Sequence, residues 1–150
     1  MATLYVASTE TFSGKSAHCV GLAKRFRCDG FSIGYMKPVS TGTRLAAGVI
    51  DEDVAFFKQA FGLPDALEDM APIEIGPRVV EAILKGEEKA DFSDRLSEAY
   101  ARIAKGRDVI VLEGGCNLRE GYLIELPIAK VADLLGAKEI VVVKYNSDLQ

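Results

Sequence analysis

At 150 residues the chain has the length of one ordinary domain, enough to bury a single core. Its 49% hydrophobic and 27% charged residues suit a globular protein and exclude a disordered one. With 18 basic against 22 acidic side chains the formal net charge is −4, so nothing attracts nucleic acid or an anionic membrane in general, and any anion site must be local.

The first run, "TLYVAS", is a short β-rich segment. It gives way to "SAHCVGLAKRFRCDG", where Cys19, Leu22, Ala23 and Phe26 recur at helical spacing and Gly30 supplies a stop. "FSIGYMKPVS" returns to strand and is ended by Pro38, just after Lys37. Strand, helix and strand make one βαβ unit, which predicts parallel strands and a right-handed crossover. "TGTRLAAGVI" is polar and bears glycine, as a loop over the carboxyl edge of a sheet would.

"DEDVAFFKQAFG" predicts a helix with acids in its first turn, and Phe56, Phe57 and Phe61 fall at helical spacing as core residues. "LPDALEDMAPIEIGP" is broken by proline and takes no assignment. "PRVVEAILKGE" and "DFSDRLSEAYARIAKG" are helices, the second capped by Asp91 or Ser93. "RDVIVLEGG" is an apolar strand ending in an acid and two glycines, "LPIAKVADLLGAK" a helix, and "EIVVVKY" a last buried strand. Apolar strands alternating with helices predict an α/β sandwich built on a mainly parallel sheet.

The apolar runs are too short to span a bilayer, and "MATLYVASTE" lacks the basic region of a secretory signal. Cys19, Cys28 and Cys116 stand without metal-ligand or redox spacing, which fits a reducing cytoplasm and small packing residues. The chain stops at "NSDLQ", directly after a strand where another helix is expected, so residues 1–150 read as a single domain cut from a longer chain.

Chemistry concentrates in "VASTETFSGKS". Gly14, Lys15 and Ser16 satisfy the second half of the phosphate-loop pattern G-x-x-x-x-G-K-[ST] at a strand-to-helix junction, while Thr9 takes the place of its first glycine. Two readings stand side by side: a phosphate loop whose start runs differently, or a serine N-cap ahead of an ordinary amphipathic helix. Glu113, at the end of "VIVLE", is either a solvated acid or a carboxylate placed to hold Mg²⁺ beside a loop hydroxyl. Asp53 is either a second metal ligand or an acid favoured by the helix dipole. His18 has no evident partner, and Cys116 has no nearby histidine to activate it, so both read as incidental.

Together these residues resemble the dethiobiotin synthetase family, whose loop runs approximately V-T-G-T-D-T-x-x-G-K-T. "VASTETFSGKS" aligns with it without a gap, Thr9, Glu10 and Thr11 standing for Thr-Asp-Thr. "YMKPVSTG" is similar to the family's K-P-V-x-[ST]-G, "DEDVAFF" to its S-D-A segment and "VLEGG" to its V-E-G-A-G-G. The style is closest to the synthetase-like N-terminal domain of some phosphotransacetylases. The resemblance implies a phosphate-loop (P-loop) nucleoside triphosphate hydrolase-like three-layer sandwich that binds ATP and Mg²⁺.

It also implies roles by position. Thr9, Glu10, Thr11, Ser13, Gly14, Lys15, Ser16 and Ala17 would surround the nucleotide phosphates, and Ser16, Asp53 and Glu113 would hold Mg²⁺. Lys15, Lys37 and Thr41 would serve catalysis, the last two beside a small carboxylate or amine acceptor, in a homodimer. The implied reaction is phosphoryl activation of a carboxylate or carbamate followed by C–N ligation. The alternative is a nucleotide-sensing regulatory domain without chemistry in a phosphotransacetylase-like protein. The chain departs from the family at Ser8, where the family has glycine, at Phe12 on the loop tip, and in "EGGCNLREGY", which lacks the E-G-A-G-G-x-x-x-P continuation.

Overall fold

A computed structural model describes residues 1–41, 51–87 and 92–145. Its main sheet has four parallel strands in the order β2-β5-β1-β6: β1 (Ala2–Ser8), β2 (Ile33–Met36), β5 (Val109–Glu113) and β6 (Lys138–Val142). The predicted parallel βαβ unit is present, but β5 slots between its two strands, so β1 and β2 are not neighbours. A two-stranded parallel ribbon of β3 (Val39–Ser40) and β4 (Ile73–Glu74) stands apart.

Side chains of a strand alternate between faces, and that alternation sorts the helices. Gly34, beside Ile110, faces Ile103 of helix α5 (Phe92–Ala104), and Gly114, on the same face of β5, meets Ile128 of α6 (Ile128–Leu135). Glu113 points to the opposite face and meets Lys15 and Ser16 of α1 (Lys15–Cys28). Helix α2 (Glu52–Phe61) joins α1's side, its Phe57 ring stacked 3.8 Å from that of Tyr35. The protein is therefore an α/β three-layer sandwich, as predicted. One core cluster runs through Tyr5, Cys19, Tyr35, Phe57, Ile110 and Val131.

Several expectations change in detail. "LPDALEDMAPIEIGP" forms α3 (Leu67–Met70) and β4, and Pro77 opens α4 (Pro77–Leu84), where a missing amide hydrogen costs nothing. The strand "EIVVVKY" is not buried. β6 lies at the sheet's edge with β1 on one side only, and Val141, Val143 and Tyr145 are exposed. Phe56 is exposed too, because Phe57 and Phe61 lie four residues apart on one helix face and turn their neighbour outward. Cys116 sits past the end of β5 and is exposed with Cys28, and only Cys19 is buried. Ser93 lies inside α5, while Asp91 and residues 42–50 of the predicted polar loop fall outside the described residues.

Among the described residues no helix is long and apolar enough to cross a membrane.

Candidate functional site

Residues 9–14 bend over the carboxyl edge of the sheet between β1 and α1, the edge at which open α/β sheets bind ligands. Thr9 N donates to Val142 O at 3.3 Å, and Ser8 Oγ donates to Glu10 O at 3.1 Å, which pins the start of the loop. Phe12 (φ 56°) and Gly14 (φ 88°) are both left-handed. Glycine adopts this conformation freely, but at Phe12 the β-carbon makes it cost about 1–2 kcal/mol. The Phe12 side chain is 96% exposed.

Helix α1 begins without a side-chain cap, and its first main-chain bond runs from His18 N to Gly14 O at 3.1 Å. The amides of Lys15, Ser16 and Ala17 thus stand open at the positive end of the helix dipole, a ready-made anion site. His18 does have a partner: its Nδ1 lies 2.9 Å from Gly14 O, so that nitrogen carries the proton. The serine-cap alternative fails, because Ser16 Oγ turns away from the amides to Glu113.

Glu113, only 1% exposed, is the centre of one wall. Lys15 Nζ at 3.2 Å and Ser16 Oγ at 2.6 Å donate to its Oε1, and the Tyr35 hydroxyl donates to Oε2 at 2.8 Å. Burial, with the Glu113 charge beside it, pushes the Tyr35 hydroxyl well above its ordinary pKa, so it stays a donor. Burial and then Glu113 raise the Cys19 thiol likewise, which leaves it inert.

The opposite wall centres on Lys37. Its ammonium lies 2.9 Å from both Asp51 Oδ2 and Asp53 Oδ2. Burial alone would lower its pKa; the bonds to the two carboxylates outweigh burial and raise it. Burial would likewise raise Asp51, but bonds from Ser40 and Lys37, the Lys37 charge and the Val54 amide together hold it below the ordinary value. Each corner is charge-compensated before any ligand arrives, as buried ions must be.

Between these walls lies a cleft of about 550 Å³, lined among others by Glu10, Thr11, Phe12, Lys15, Lys37 and Asp53. Ser13, Gly14, Ser16, Ala17 and Thr41 complete the sequence-predicted lining. Two candidates stand apart from it. Thr9 lines a neighbouring groove of about 470 Å³ that shares Glu10 and Thr11 with the cleft, and Glu113 is buried behind Lys15 and Ser16. Among the described residues no three His, Cys, Asp or Glu gather as a metal cluster.

Comparison with known proteins agrees with this geometry. A family model described as an AAA domain matches residues 2–149. The chain belongs to that family. An ATP-dependent dethiobiotin synthetase BioD from Methanococcus vannielii is 27% identical over 144 residues, covering 95% of this chain and 65% of the relative. One from Aromatoleum aromaticum is 29% identical over 141 residues, covering 93% and 63%. A phosphate acetyltransferase from Nitratidesulfovibrio vulgaris is 25% identical over 140 residues, which are 93% of this chain but 19% of that protein. This AAA domain is thus a dethiobiotin synthetase-like P-loop domain, spanning a little under two thirds of the length of these two synthetases.

The AAA domain's site also contains residues that sequence reasoning missed. Asp51 precedes α2 in a run of three acids, and its place as N-cap was the available signal. Tyr35 reads as one more core residue of a strand. Glu120 carried no local signal at all. Its Oε2 accepts from Cys116 N, and it lies so close over Gly115 that it leaves no room for a β-carbon there. Burial raises its pKa against the lowering effects of the Cys116 amide, Lys37, Thr41 and Lys15.

Proposed function

We propose that this AAA domain binds ATP with Mg²⁺ and passes the terminal phosphoryl group to a carboxylate or carbamate, activating it for C–N ligation. One observation carries the reading: Lys15 and Ser16, from the uncapped start of α1, converge on Glu113 at the carboxyl end of a central strand. The open amides suit phosphate oxygens, and Lys15 would neutralise their charge. The buried Ser13 Oγ, which has no hydrogen-bond partner among the described residues, gives the loop a further polar atom for a ligand to satisfy.

Mg²⁺ is a hard ion that takes oxygen ligands and retains waters. Ser16, Glu113 and Asp53 offer only oxygens, and two of them already lie 2.6 Å apart, so the donor set fits. When bound, the ion would screen charge on the phosphates. Lys37, across the cleft, would supply a fixed cation where charge builds during transfer, with Thr41 beside it on the acceptor side. Glu10 and Thr11 line both the cleft and the adjoining groove, giving an acceptor a path to the phosphate end. The same reading takes the protein as a cytoplasmic homodimer, and equilibrium sedimentation tests the dimer.

A second reading is favoured by the match to a phosphate acetyltransferase, of which this fold makes up a small part: nucleotide binding without turnover, in a regulatory domain. Incubation with MgATP, bicarbonate and diaminopelargonic acid separates the two. Diamine-dependent phosphate release supports the ligase, whereas MgATP binding without it supports the regulatory domain.

A further inference from the structure

We propose that Asp51 is a positioning residue that fixes Lys37 in the cleft, while Asp53 is its exchangeable partner. The proposal rests on reading Lys37 as the cation facing the transferring phosphoryl group, but its geometry stands without that reading.

The two carboxylates differ in how fully they are used. Asp51 Oδ1 accepts from Asp53 N at 3.0 Å and Val54 N at 3.4 Å, and Oδ2 accepts from Ser40 Oγ at 2.5 Å and Lys37 Nζ at 2.9 Å. Four donors fill a side chain that is 5% exposed, leaving it no capacity for another ligand. Asp53 gives one oxygen to Lys37 at 2.9 Å and its side chain is 45% exposed. A cation or a substrate amine entering the cleft therefore draws on Asp53 and leaves Asp51 in place. Lys37 then stays anchored, because the carboxylate that holds it also caps α2 and ties Ser40 at the end of β3.

An N-cap requires a single acceptor oxygen, and asparagine caps as well as aspartate. The second oxygen of Asp51 is the part that serves Lys37. Asp51→Asn keeps the cap but can turn an amide NH₂ toward an ammonium, so it separates positioning from mere helix capping.

The experiment uses the whole chain without nucleotide. Wild type, Asp51→Asn and Asp53→Asn are pulsed with an amine-reactive acetylating reagent, and acetylation at Lys37 is read by peptide mass spectrometry against the exposed Lys85. Circular dichroism checks the fold. The expected result is acetylation of Lys37 that rises about tenfold or more in Asp51→Asn and stays within about threefold of wild type in Asp53→Asn. In phosphoryl transfer, Asp51→Asn should lower kcat about tenfold or more with the ATP Kd nearly unchanged.

Equal protection of Lys37 in folded Asp51→Asn and wild type would overturn the proposal. So would loss of protection in Asp53→Asn, an exposed position expected to fold even if the other variant does not. Protection that follows Asp51 in a protein that neither binds nor hydrolyses ATP would uphold the anchoring and refute the proposed function instead.

Discussion

The two walls of the cleft solve the problem of a buried charge in mirror image. On one, a single carboxylate, Glu113, gathers an ammonium and two hydroxyls; on the other, a single ammonium, Lys37, lies between two carboxylates. The first set is closed, since both oxygens of Glu113 are engaged and 1% of the residue is exposed. The second is half open, because Asp53 reaches solvent. Charge compensation alone thus does not say which group meets an incoming ligand first. Exposure does, and it singles out Asp53.

That contrast is broken most severely by Glu113→Ala. It strands Lys15 at the closed corner, and losing one partner of a buried pair costs about 3–5 kcal/mol, read as a lower denaturant midpoint. Tyr35→Phe leaves Glu113 Oε2 without its donor and should cost about 1–3 kcal/mol in the same measurement. At the half-open corner, Asp53→Asn removes an exposed partner and should cost no more than about 1 kcal/mol. A loss for Asp53→Asn as large as that for Tyr35→Phe would erase the distinction between the walls.

Glu120, which feels the charges of both Lys37 and Lys15, gives the smallest effect. Its raised pKa means that the folded state holds the proton more tightly than the unfolded chain does. Ionisation therefore costs stability at neutral pH, and the cost disappears as pH falls below the ordinary glutamate value near ~4.3. Glu120→Gln keeps an acceptor for Cys116 N and should melt at or slightly above the wild-type temperature at pH 7, with any gain shrinking toward pH 4.

Much of this was legible in the sequence, and what was not has physical reasons. Gly14-Lys15-Ser16 at a strand-to-helix junction, and Glu113 before two glycines, are local signals whose spacing survives folding. A valine-rich run such as "EIVVV" cannot distinguish a central strand from an edge, and β6 became an edge. In "DED", propensity favours acids in general and cannot say that Asp51 caps while Asp53 faces the cleft. Glu120 meets Thr41 only through tertiary contact, and its bond from Cys116 N, four residues back, lies in an irregular loop, so no periodic pattern announces it.

Isothermal titration of MgATP into the whole chain, compared with Lys15→Ala, probes the phosphate loop most directly. The account predicts saturable binding to the native protein and at least a tenfold weaker Kd in the folded variant, since a hydrogen bond to a charged group is worth about 1.5–3 kcal/mol. Equal affinity in both, or no binding by the native chain, would contradict it.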